Sequence, residues 1–92
     1  MAIIVKRRGH TEEFDERKAY GSVYAACASA HYKEGECEKI ADGITKKIKK
    51  MVADRKQIDS SIIRKKIKSE LKKKDAELEF YYEEHLPNLK EL

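Results

Sequence analysis

No stretch of this 92-residue chain approaches the ~20 consecutive apolar residues that a membrane helix needs, which excludes a protein spanning a bilayer through helices. No signal-peptide pattern opens it, so the cytoplasm is the compartment to expect. Cysteine is scarce, with Cys27 and Cys37 alone. That excludes a disulfide scaffold, and each falls on an apolar helix face, as reduced core thiols do. A metal site would have to use Cys27, His31 and Cys37 with His10 or His85, a spacing that fits no usual zinc pattern, so none is expected. Side-chain amides are nearly missing, with Gln57 and Asn88 alone. An excess of Lys and Glu with few thermolabile amides is the composition of hyperthermophile proteins, and a hot-living source is the expectation. No glycine-rich loop ends in Lys-Ser or Lys-Thr, so a P-loop nucleotidase is excluded. No Ser–His–Asp or Cys–His constellation can be argued from spacing, so an enzyme is not expected. There is no internal repeat, linker or low-complexity tract.

What is present reads as one small globular domain. Charged residues make up 41% and apolar ones 40%, too many apolar residues for a disordered chain. The fold class expected is α+β: an N-terminal β-hairpin, with a three-stranded sheet as the alternative, capping a four-helix bundle. Residues 1–14 form the hairpin, 15–86 the helical part and 87–92 a tail. The first helix runs from about Asp15 to Ala30, with Tyr20, Val23, Tyr24 and Cys27 at helical spacing and an alanine-rich back. Gly21 within it has a propensity cost that suggests close packing on a neighbour. The second, from about Glu36 to Met51, carries the stripe Cys37, Ile40, Ala41, Ile44, Ile48, Met51 and Val52. Arg55 to Ile58 is a candidate third strand. Asp59 or Ser60 then caps a third helix with Ile62, Ile63, Ile67 and Leu71 inside. A fourth, from about Asp75 to His85, buries Leu78, Tyr81 and Tyr82 and ends at Pro87.

The first eighteen residues are the most informative. Ile3, Ile4 and Val5 suit a pleated strand, and Gly9 supplies the positive φ of a hairpin turn. Asp15 is a good N-cap, with Phe14 placed to staple against Ala19 or Tyr20. Lys6 and Arg7 leave one strand, Glu12 leaves the next, and Lys18 sits on the helix those strands feed. Such an arrangement can hold a phosphorylated anion at Lys6, Arg7 and Lys18 while Glu12 reaches its sugar, base or metal. Glu12 and Glu13 are neighbours on a strand, so they point to opposite faces and cannot work as a pair.

The order Ile4, Val5, Lys6, Arg7, Arg8, Gly9, Glu12, Phe14, Asp15 and Lys18, continued by Ser22, Val23, Ala26 and Cys27, resembles the ATP-cone. That family is the nucleotide-sensing domain at the front of many ribonucleotide reductases and part of the bacterial repressor of reductase genes. The resemblance is weaker beyond residue 30 but stays in register to about Tyr82. It implies a stand-alone regulatory module that binds ATP or dATP, with Mg²⁺, and signals to a reductase or a transcription regulator, with a homo-oligomer as one possible form. Lys6, Arg7 and Lys18 would neutralise phosphates, Glu12 and Asp15 would hold sugar, base or metal, and Ile4 would flank the base. Asp59 and Ser60 would add polar contacts. Two positions depart from the family pattern. Arg8 replaces an acid or amide, and Glu83, Glu84 and His85 follow Tyr82 where the family has an aromatic followed by Arg or Lys.

Charge is unevenly spread. From Lys46 to Lys74 the only acids are Asp54, Asp59 and Glu70, whereas from Asp75 onward Lys90 is the only base. The alternative function is therefore a basic nucleic-acid-binding module on the Lys46–Lys74 surface. Against it stands a simpler reading, a solvated lysine-rich surface partly paired with the acidic last helix, because no aromatics interleave with those lysines.

Overall fold

The computed structural model describes residues 3–5 and 10–90, with side chains up to residue 84. Strand β1 (Ile3–Val5) pairs antiparallel with β2 (Thr11–Glu13). Four helices follow, α1 (Glu16–Ser29), α2 (Glu34–Ala53), α3 (Ser60–Lys74) and α4 (Ala76–Lys90), with β3 (Gln57–Asp59) between α2 and α3. The candidate third strand is real. It runs parallel to β1 and makes the sheet order β2-β1-β3. Its polar composition follows from its position. Only Ile58 faces inward, while Gln57 and Asp59 are exposed, so one apolar residue suffices.

Register explains how the sheet seats on the helices. Ile4 stands opposite Glu12 on one side and Ile58 on the other, so these three side chains share a face. Ile4 and Ile58 are buried in the single core cluster, which continues through Val23, Cys27, Ile48, Ile67, Leu71, Leu78 and Tyr82. Both cysteines are free and buried, and burial pushes the Cys27 thiol up to about 12, which makes it inert near neutral pH.

Helix ends are closed by local chemistry. The Asp15 and Asp59 carboxylates accept from Arg17 N at 2.9 Å and Ser61 N at 2.8 Å, capping α1 and α3. Asp75 caps α4 through Glu77 N and also accepts the Tyr32 hydroxyl at 2.8 Å. At the end of α1, His31 adopts φ 65°. Its N–H reaches Ala28 O and that of Tyr32 reaches Cys27 O, the paired bonds of a Schellman turn.

Four expectations are corrected. The inward stripe of α1 is Ala19, Ser22, Val23, Ala26 and Cys27. Tyr20 and Tyr24 lie half-buried at its flank, stacked with centroids 6.2 Å apart, because small side chains let α1 approach its neighbours closely. Ile62 is 40% exposed, since the α3 stripe follows Ile63, Ile67 and Leu71 at helical spacing and leaves Ile62 beside it. Helix α4 runs on through Pro87 to Lys90, proline's fixed φ being itself helical. Gly21 is exposed and a Cβ there would meet nothing within 4 Å, so no neighbour demands glycine. Gly21→Ala should therefore stabilise the fold by about 0.5–1 kcal/mol through helix propensity. A chemical-denaturation midpoint that fell instead would show hidden contact at this position.

One charged group is buried between α2 and α3. Glu70 is 4% exposed and accepts from Lys47 Nζ at 2.7 Å, with Lys73 Nζ at 3.4 Å. The hydrogen bond from Lys47 holds its carboxyl below the ordinary value, against the opposing effect of burial, with Lys73 adding to the shift. A lowered folded-state pKa contributes stability above the unfolded-state pKa, and that stability is lost as pH falls through the folded value. Glu70→Gln should cost about 1.5 kcal/mol at pH 7, the low end for a charged hydrogen bond because the lysine heads are solvated. Its melting temperature should also fall less steeply than the parent's below about pH 4.5. Parallel acid profiles would rule out this linkage.

Candidate nucleotide site

The site builds from the end of the sheet where β1 and β3, running in parallel, both leave. The chain exits β1 at Val5, in the same row as Asp59 on β3 and Thr11 on β2. Asp59 is followed at once by the first turn of α3, where its carboxylate accepts the Ser61 N–H and the helix dipole favours negative charge. Its own carboxyl is held below the ordinary value by the Ser61 N–H first and by the side chain of that serine, with Arg64 and Lys65 adding attraction.

Glu12 shares the inner face of the sheet and meets Lys18 on α1 at 3.6 Å. Glu13, on the opposite face, is exposed, as alternation requires. One turn beyond Lys18, Ser22 is buried and donates to Ala19 O at 2.8 Å. Its hydroxyl adjoins that of Tyr82 on α4. Tyr82 is 2% exposed. Burial pushes its hydroxyl up to about 12, with Arg64 and Ser22 acting in the other direction.

Arg64 is the residue that sequence reasoning missed. It is half-buried on α3, one turn after Ser60, and its Nη2 donates to Ser60 Oγ at 3.1 Å. Among the described residues it makes no ion pair. A guanidinium has five N–H donors, so most remain for a ligand. The available signal was the i,i+4 spacing of Ser60 and Arg64, hidden inside a run of lysines that looked interchangeable.

The structure thus brings together Glu12 with Lys18, and Asp59 with Ser60 and Arg64. Ile4 lies beneath, with its side chain packed into the core. Asp15 caps α1 and binds Arg17 through both its backbone and side-chain nitrogens, so its carboxylate is already engaged. Lys6, Arg7, Arg8 and Gly9 lie outside the described residues, as does the side chain of His85. Glu83 pairs with Lys68, about 12 Å along α3 from Ser60 at helical rise.

The family model of the ATP cone domain matches residues 2–83. The chain belongs to the ATP-cone family. No curated protein and no solved structure is matched. ATP-cone domains are regulatory nucleotide-binding domains, not catalytic ones, and they bind ATP or dATP. In this ATP-cone domain no helix of the described residues is long and apolar enough to cross a membrane, and no group of three His, Cys, Asp or Glu among them could hold a metal.

Proposed function

We propose that this ATP-cone domain senses adenine nucleotide, binding ATP or dATP at the end of the sheet and passing that state to a partner protein, a reductase or a transcription regulator. The observation that carries the reading is the half-buried guanidinium of Arg64 at the start of α3, held by Ser60 and near enough to Tyr82 to act on its hydroxyl, with Lys18 one turn before Ser22 on α1. Lys6, Arg7, Lys18 and Arg64 neutralise phosphates, and Ser60 with the α3 N–H groups adds donors. Arg64 supplies from α3 the cation that the end of α4 lacks after Tyr82. Glu12, released from Lys18, meets the sugar, the base or a Mg²⁺ carried by the phosphates. Ile4 supports the base from below, Asp59 holds the α3 terminus in place, and Asp15 does the same for α1. Sensing follows if nucleotide favours one conformation or oligomer over another.

Titration calorimetry with ATP and dATP, each with and without Mg²⁺, tests this. Arg64→Gln and Lys18→Ala should each weaken binding by roughly tenfold or more, the loss of a charge-assisted hydrogen bond. If neither changes the affinity, phosphate does not lie between α1 and α3 and the site assignment fails.

A further inference from the structure

A second feature lies at the opposite end of α3. Between α2 and α3, adjoining hollows of about 550 and 420 Å³ share Lys39, Ile40, Lys73 and Lys74 and form one open groove. From Ser60 to Lys74 the helix rises about 21 Å, so this groove is separate from the nucleotide site.

Three properties of the groove point to one ligand chemistry. First, its cations are organised. The buried Glu70 carboxylate binds Lys47 from one wall and Lys73 from the other. Each ammonium has three N–H donors, so both keep donors for a ligand while Glu70 restricts their positions. Second, Lys39 and Lys74 are exposed and, among the described residues, join no ion pair. Glu36 also lines the groove, but the four lysines outnumber it and Glu70 together. Third, the Schellman turn at His31 swings Tyr32 to one end of the groove, and its hydroxyl bond to Asp75 anchors the ring. No aromatic interleaves with the lysines in the chain from Lys46 to Lys74, yet the fold sets one beside them.

Shape selects the ligand. From Glu36 to Lys47 the wall of α2 is about 16 Å long, four or five phosphate spacings of a stacked strand. A small phosphorylated metabolite would leave most of that length empty, and such ligands favour enclosed pockets. A duplex would keep its bases stacked away from Tyr32, whereas a single strand offers both phosphates and a free base face. We propose that the α2–α3 groove binds single-stranded nucleic acid, with Lys39, Lys47, Lys73 and Lys74 on the phosphates and Tyr32 against a base at one end.

The test is fluorescence anisotropy of the full chain with a labelled twelve-nucleotide single strand of mixed sequence, titrated over a range of salt. Four phosphate contacts predict a slope of log affinity against log salt of about −3. The double variant Lys39→Ala, Lys74→Ala should halve that slope and lower affinity about 25-fold at 0.1 M salt. Lys65→Ala with Lys72→Ala removes the same charge outside the groove and should keep the parent slope. Saturating ATP should leave the strand bound, and so should Lys18→Ala, so that failure here and failure of the nucleotide site are distinguishable. Equal losses in the two double variants would mean diffuse attraction to a basic surface and would overturn the proposal. So would displacement by polyglutamate at equal charge, which would make an acidic peptide the better occupant. Displacement by ATP would merge the two sites and overturn it as well.

Discussion

Millimolar ATP or dATP should raise the unfolding midpoint by about 10 °C or more. A ligand at 100 times its Kd that binds only the folded state adds about 2.7 kcal/mol. In a domain of this size each kcal/mol moves the midpoint by about 4–8 °C, because the unfolding entropy is small. The shift should require the adenine nucleotide and should shrink in Arg64→Gln at fixed nucleotide concentration. Thermal unfolding with ATP, dATP, ADP and GTP, with and without Mg²⁺, supplies the comparison. A midpoint unmoved by millimolar ATP and dATP would remove nucleotide sensing as the function of this chain.

Leu71→Ala should be the most damaging single change in the core. Leu71 is fully buried near the end of α3, and removing its isobutyl group leaves a cavity as well as losing transfer energy. The expected cost is about 3–4 kcal/mol, a large part of the stability of a domain this small. Ile62→Ala, about two and a half turns earlier on the same helix, should cost only about 0.5 kcal/mol, because Ile62 stands at the surface. Urea unfolding of both variants measures the difference. Comparable losses would mean that Ile62 is covered in solution, by a partner or a second copy, and the assignment of the α3 inner face would need revision.

Much of the fold was legible in the chain because its signals are local. The α2 stripe from Cys37 to Val52 repeats at helical spacing, Asp15 announces the start of α1 through a single side chain, and the pair Asp59 and Ser60 marks the start of α3. The alternation of Glu12 and Glu13 follows from strand geometry alone. The candidate site was less legible. Lys18, Glu12, Asp59 and Ser60 could be named from type and spacing, but Asp15, also named, proves to be engaged as a cap. The helix-propensity cost of Gly21 implies a close neighbour, and none lies within 4 Å of a Cβ built there.

By itself, then, the sequence determined the order of the hairpin and the four helices, the Asp15 cap and the family to which the chain belongs, since each depends on local patterns; the third strand and the choice of Asp59 over Ser60 as the α3 cap came from the structure. The tertiary structure alone decided which cations meet. Arg64 comes near Tyr82 only because α4 packs on both α1 and α3, and Tyr32 joins Lys39, Lys47, Lys73 and Lys74 only because the turn at His31 sets it beside the far end of α3. Both groupings draw on residues separated by tens of positions. No periodicity records such separations; the packing of a shared core does.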